Sequence, residues 1–234
     1  KTVTGIDIGS RTGVALKGSI KGNSFVVTNF AVVPTNTSTI ADGWASLSEA
    51  LKGGFKPGLT RTGISGPDLN IRYTRVPRVP DWQLRKLMGF EVAEVGGTSG
   101  SEVASDFNVL PELPEIEGED VVLLAMAKES MLEDHEDGVK DSGGSLDACT
   151  PNAIALYNAW LRFGVLMDDT VLVANIGHEN IDVIIARGHD LLFARSLGGG
   201  SELFDEAIAS RLGLSASKAE QVKIRHVDLD PDAR

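Results

Sequence analysis

Apolar positions in the first third of the chain fall into three short runs rich in Val, Ile and Phe, predicting strands at Val3 to Ile8, Gly13 to Lys17 and Phe25 to Val33. Gly9-Ser10-Arg11-Thr12 and Lys21-Gly22-Asn23 supply the turns between them. The period then changes. Trp44, Leu47 and Leu51 recur at helical spacing, which predicts a helix from Ile40 to Leu51 stopped by Gly53-Gly54.

The same order returns later, with strands predicted at Val171 to Ile176, Ile181 to Arg187 and Leu191 to Leu197, again followed by a helix. Superposing Asp7-Ile8-Gly9-Ser10-Arg11-Thr12 on Asn175-Ile176-Gly177-His178-Glu179-Asn180 keeps one offset, 175 − 7 = 168. A repeat of this length is too long for a solenoid unit and implies two homologous halves facing each other.

The region between the repeats is less regular. Short strands are expected at Thr62 to Ser65 and Leu69 to Val76, followed by a helix opening at Asp81 as N-cap and carrying Trp82, Leu84, Leu87, Met88 and Val92. Gly and Ser from Val95 to Ser101 read as a flexible tip. Further strands are expected at Val103 to Leu110 and Val121 to Ala127, and a helix at Lys128 to Val139. A short strand or turn ends at Asp147, and a helix follows from Pro151 to Phe163, its apolar side carrying Ala153, Leu156, Trp160 and Phe163.

The chain has 234 residues, enough for one large domain or two small ones, and its 42% hydrophobic and 24% charged residues are those of a globular protein. A net charge of −11 argues against a nucleic-acid partner. Arg72, Arg75, Arg78, Arg85 and Lys86 make a local basic stretch, read either as a solvated face or as recognition of an acidic partner. One cysteine, Cys149, allows no internal disulfide and fits a reducing compartment. The longest purely apolar run, Val121 to Ala127, is too short for a membrane span, and the Lys1 start shows no leader. Asn36-Thr37-Ser38 is a sequon that matters only in a secreted protein. The four histidines lack the paired helical spacing of a metal hydrolase.

A tight glycine turn lets the main chain approach an anion and point N–H groups at it. Gly9 to Thr12 has that composition, with Ser10 and Thr12 as hydroxyl donors and Arg11 within reach of a terminal phosphate. One such turn alone reads more readily as an ordinary hairpin connection; two at equivalent positions of a repeat read as opposing clamps.

With these residues in place, GIDIGS (Gly5 to Ser10) resembles the first phosphate loop of the actin, sugar kinase and heat-shock chaperone superfamily, and VANIG (Val173 to Gly177) the second. Within the superfamily the chain is similar to the PilM family of type IV pilus assembly proteins. The similarity lies in LGGGSELFDE (Leu197 to Glu206), LGLSASKAEQVK (Leu212 to Lys223), GISGP (Gly63 to Pro67), IRYTRVP (Ile71 to Pro77), DFNVL (Asp106 to Leu110) and DACTPNA (Asp147 to Ala153).

The resemblance implies an α/β fold of actin-like, ribonuclease H-like type: duplicated βββα units, a small inserted α+β subdomain and an incomplete second half. The implied division is residues 1–68 plus 143–169 for the first subdomain, 69–142 for the insert and 170–234 for the start of the second. It implies ATP and Mg as ligands, with Asp7, Gly9, Ser10, Arg11 and Thr12 lining the β- and γ-phosphates and Gly177 opposing them. Asp7 is the metal-side carboxylate, and Glu220 and Lys223 reach the sugar and base, although a Glu and Lys three apart on a helix are usually a solvated pair.

The departure is Asn175, where the family carries an aspartate that holds magnesium. Loss of that charge weakens the anchoring of a hard cation and argues against efficient hydrolysis, leaving at most a weak ATPase. His178, Glu179 and Asn180 replace small hydroxyl residues in the same loop, and Asp182 is a substitute acid whose direction strand alternation leaves open. The implied role is a cytoplasmic scaffold, peripheral to the inner membrane through a partner, that docks the tail of a PilN-like protein between the main subdomain and an insert spanning Leu69 to Gly138. Arg72, Arg75, Trp82 and Phe90 are candidate groove residues, and self-association is an open possibility. A sugar kinase of the same superfamily and an FtsA-like filament protein remain as alternatives. The acidic Asp228-Leu-Asp-Pro-Asp-Ala-Arg234 end offers nothing to an anionic membrane.

Overall fold

The computed structural model describes residues 2–22, 24–35, 39–100, 102–112, 116–166 and 168–226. The sequon, Asn23 of the second turn and the acidic end lie outside the described residues.

Three strands, β1 (Thr2–Ile8), β2 (Thr12–Lys21) and β3 (Ser24–Pro34), form an antiparallel meander, and α1 (Ile40–Leu51) returns across it. The Thr39 hydroxyl caps α1 by accepting from the Asp42 N–H at 3.2 Å, and Trp44, Leu47 and Leu51 are all buried, as their spacing predicted. β4 (Gly58–Ile64) then pairs parallel to β1. It begins four residues earlier than the expected Thr62, with buried Thr60 continuing the face of Thr62 and Ile64.

The insert is an antiparallel sheet ordered β5 (Leu69–Pro77), β7 (Glu119–Lys128), β6 (Val103–Val109), with α2 (Asp81–Ser99) on one face. Val122, Leu124 and Met126 of β7 pack with Leu84 and Met88 of α2, while Leu123 and Ala127 join buried clusters on the opposite face. That two-sided burial explains the unbroken apolar run of β7.

Two expectations are corrected in α2. Pro80 is the N-cap and Asp81 the first helical residue, where its charge suits the positive end of the helix. The glycines at 96 and 97 do not end the helix; it continues to Ser99 and stops at Gly100, whose φ of +64° makes the left-handed cap.

After α3 (Glu129–Asp141), the expected short strand or turn ending at Asp147 is a full strand, β8 (Gly144–Pro151), parallel to β4. The first sheet is therefore five-stranded, ordered β3-β2-β1-β4-β8. Gly143-Gly144 and the polar residues of β8 hid it, because its pairing comes from a distant strand and not from local propensity. Although α3 falls within residues 69–142, it packs on α1 and β8: an added Cβ at Gly138 would lie 2.2 Å from the Trp44 ring.

Pro151 caps α4 (Asn152–Phe163) from outside its first turn, and the last sheet follows as β9 (Thr170–Ile176), β10 (Asn180–Arg187) and β11 (Asp190–Gly198), in order β11-β10-β9. Phe163, expected on the apolar side of α4, is 71% exposed at the helix end. The chain continues as α5 (Ser201–Leu212) and α6 (Ala216–His226), packed on each other. The repeat survives in register: Ile8 faces Gly13 across β1 and β2, and Ile176 faces Ile181 across β9 and β10, with 176 − 8 = 168 and 181 − 13 = 168.

Candidate functional site

Both repeated turns close identically. The Gly9 N–H donates to the Thr12 carbonyl at 2.9 Å, and the Gly177 N–H donates to the Asn180 carbonyl at 2.9 Å. A Cβ at either glycine would sit 3.0 or 2.9 Å from that same carbonyl, so the turns demand glycine. These two N–H groups therefore hold the turns in shape and do not point at an anion. Thr35 buttresses the first turn, its hydroxyl donating to the Gly9 carbonyl at 2.7 Å and its N–H to the Arg11 carbonyl at 3.0 Å.

The turns face one another across a cleft of about 290 Å³ lined by Gly9 and Ser10 on one side and Glu179 and Asn180 on the other. Asp68 and Asp134 complete its wall, and Lys128 is paired with Asp68. The lining is thus acidic. Arg11 does not supply the missing positive charge, because its guanidinium is paired with Glu220 of α6, 209 residues away. Lys223 points elsewhere on α5, donating to the buried Asp205 Oδ2 at 2.7 Å and to the Ser201 carbonyl at 3.1 Å.

Behind the first turn lies a polar cluster that the sequence only half disclosed. Asn152, at the start of α4, donates from Nδ2 to Asp7 Oδ1 at 3.0 Å and also hydrogen-bonds Asp182. Asp182 is buried on β10, directly across from Asn175, and its Oδ1 accepts from the Ser196 hydroxyl at 2.5 Å. Its direction is therefore inward. Asn175 and Asp7 line one cavity of about 470 Å³ together with Asn152. Burial pushes Asp7 above the usual carboxylate range, against the Asn152 hydrogen bond. Burial also raises Asp182, reinforced by the Asp7 charge and opposed by the bonds from Ser196 and Asn152.

Asp7 is half-buried and Asp182 buried, and the Asp7 charge helps to raise Asp182; two such carboxylates are a donor set suited to a hard divalent cation, so they fit magnesium where Asn175 alone does not. Asn152 was missed because an amide at a helix start reads as a cap. Its one available signal was its place directly after the DACTP segment. Gly63 makes room for it: a Cβ there would meet Asn152 Oδ1 at 2.2 Å.

A second concavity runs between two sheet edges. β6 is the edge of the insert sheet and β8 the edge of the five-stranded sheet. Asn108 and Val109 line one side of a groove of about 750 Å³, and Thr150, Ile154 and Tyr157 line the other. It adjoins a space of about 480 Å³ bordered by Glu129, Glu133 and Glu136 of α3. None of Arg72, Arg75, Trp82 and Phe90 lines either space. Trp82 and Phe90 are exposed on α2, which covers the opposite face of the insert sheet.

No protein-family model matches the chain, and no curated protein matches its sequence. Solved structures do. The chain is similar to one from the PilM-PilN type IV pilus biogenesis complex, at 22% identity and TM-score 0.76, over 96% of this chain and 69% of that one. It is similar to the cytoplasmic domain of EpsL, an inner membrane component of the type II secretion system of Vibrio cholerae, at 14% identity and TM-score 0.52, over 92% of this chain and 78% of that one. It is also similar to the ethanolamine utilization protein EutJ from Carboxydothermus hydrogenoformans, at 10% identity and TM-score 0.52, over 96% of this chain and 61% of that one. At these identities the likeness establishes the fold, which is actin-like. Among the described residues, no helix is long and apolar enough to cross a membrane.

Proposed function

We propose that this actin-fold chain is a cytoplasmic scaffold of a type IV pilus or related secretion assembly platform, taking ATP as a conformational ligand and docking the tail of a PilN-like inner-membrane protein. The observation that carries this reading is the groove between β6 and β8. Edge strands present unpaired main-chain groups, and two of them flanking one groove suit an extended segment laid between them. The likeness to a chain from a PilM-PilN complex supports the same partner class. In this reading residues 1–68 and 143–169 form the first actin-like subdomain, 69–142 the insert and 170–234 the start of the second.

Asp7 and Asp182 would hold the magnesium ion that accompanies the nucleotide, with Asn152 fixing the orientation of both carboxylates. Magnesium would supply the positive charge that lets phosphate enter an acidic cleft. Ser10 and Thr12 hydroxyls, with Gly177 opposite, would flank the phosphates. Arg11 reaches them only by releasing Glu220, and Asn175 leaves the cation with one carboxylate fewer than the family pattern. Both features suit a ligand that sets conformation and turns over slowly.

The test is binding of the N-terminal peptide of the cognate PilN-like protein to the purified chain by calorimetry. Val109, 40% exposed in the groove, is the site for a charge probe. Val109→Asp should weaken binding by about tenfold or more, the scale of a buried charge at an interface core. Absence of binding by the unaltered chain, or an unchanged affinity in the variant, would refute the docking site.

A further inference from the structure

The second turn holds a group of side chains to which the reading above gives no ligand role. His178, Glu179 and Glu202 bring one ligand atom each to within 4.8 Å of one another. His178 and Glu179 follow Gly177 in the turn, and Glu202 is the second residue of α5. His178 Nε2 and Glu202 Oε2 stand 4.0 Å apart, too far for a hydrogen bond.

The frame beneath them is fixed independently of the side chains. The Ser201 N–H donates to the Gly177 carbonyl at 2.8 Å and the Glu202 N–H to the His178 carbonyl at 3.1 Å. Gly200 permits this approach, since a Cβ there would lie 2.3 Å from the His178 carbonyl oxygen and 2.6 Å from that of Gly177. Turn and helix start are therefore locked together, and the three side chains project from one rigid base. Among the described residues no lysine or arginine pairs with Glu179 or Glu202, although Arg11, Lys128 and Lys223 are each paired with other acids nearby in the fold. The first turn of α5 favours one carboxylate at its positive end; it does not account for a second carboxylate and an imidazole converging on the first.

We propose that His178, Glu179 and Glu202 form a binding site for a divalent transition-metal ion of borderline softness, represented by Zn²⁺ and Co²⁺. One imidazole nitrogen and two carboxylate oxygens bind such ions at about 2.0 to 2.2 Å, which puts neighbouring ligand atoms about 3 to 3.5 Å apart. Side-chain rotations that move the atoms by little more than an ångström close the set. The imidazole selects against Mg²⁺ and Ca²⁺, which take oxygen ligands. The ion offsets the two negative charges, and Glu179 places it on the wall of the cleft between the turns, separate from Asp7 and Asp182. It would also clamp turn to helix through side chains as the backbone already does through N–H groups.

The site is independent of the nucleotide reading, so its test uses the metal alone. Calorimetry and optical titration of the chelator-treated protein with Zn²⁺ and Co²⁺, without nucleotide, should show one ion per chain and a Co²⁺ ligand-field spectrum. His178→Ala and Glu202→Gln should each weaken binding by at least about tenfold, whereas His189→Ala should leave it unchanged. Thermal melts of the metal-free variants check that each is folded, and added Zn²⁺ should raise the melting temperature of the unaltered protein only. No binding at about millimolar metal, equal binding of Mg²⁺, or unaltered binding by folded His178→Ala would each overturn the site.

Discussion

At the scale of the residue, the decisive pairing is Asp182 with Asp7. Alternation along β10 left the direction of Asp182 open, and the register that sets it opposite Asn175 was beyond what a single strand's sequence states. Both carboxylates are raised chiefly by burial, so each favours the fold when protonated and opposes it when ionised, an effect that grows as pH rises through the folded-state pKa. Asn175→Asp adds a third acid to the same place. Melts should show a variant less stable than the parent at neutral pH without metal, and a larger gain from Mg²⁺; calorimetry should show stronger magnesium dependence of ATP binding. Unchanged melting and unchanged metal dependence would remove the cation from this position.

His135 titrates in the opposite sense. It is buried, its Nδ1 accepts from Trp44 Nε1 at 3.1 Å with the Thr62 hydroxyl at 3.2 Å, and burial lowers its pKa to about 4. A neutral ring in the fold and a protonated one in the unfolded chain mean that stability is intact above about 6.5 and falls as pH drops toward 4. At pH 5 the loss is about 2 kcal/mol from this group alone. Denaturation of the parent and His135→Gln at pH 7 and pH 5 should show the smaller pH dependence in the variant, while Asp7 and Asp182 act against the trend in both.

At the scale of the element, periodicity located most strands and helices, and it failed where pairing is remote. α1 was legible because Trp44, Leu47 and Leu51 all turn to one core. β8 was not, since its partner β4 lies 86 residues earlier, 144 − 58 at the Gly58–Gly144 pair, and its own residues are mostly small and polar. The extension of α2 through Gly96 and Gly97 was hidden for another reason: glycine weakens a helix without forbidding one, and a left-handed stop at Gly100 outweighs it. Gly138 in α3 marks the same limit, because only the fold reveals that Trp44 fills the space its side chain would take. Gly138→Ala would improve helix propensity on a free helix, yet here it should destabilise the protein by about 1 to 3 kcal/mol, measured by urea denaturation, as the ring is forced aside. A stabilised variant would show that α3 does not press on α1.

At the scale of the whole molecule, the duplicated turns were readable from a constant offset, and the fold they imply is the one present. What the candidate site does with them was less readable. The glycines sustain turn geometry, Arg11 and Lys223 are both engaged by acids, and the groove avoids the aromatic and basic residues that the insert's composition had put forward. Each of these facts depends on which of two distant segments meet, and composition carries no record of that.

The Arg11–Glu220 pair spans 209 residues, almost the whole chain, and is partly open to water on both sides. Closing a loop of that length is entropically costly, so the contact belongs to the end of folding and not to its beginning. Being half exposed, it is also screened by salt, with a Debye length of about 8 Å at physiological ionic strength. The first turn is therefore tied to α6 by a contact that rising ionic strength weakens, while the hydrogen-bonded sheets are untouched by it.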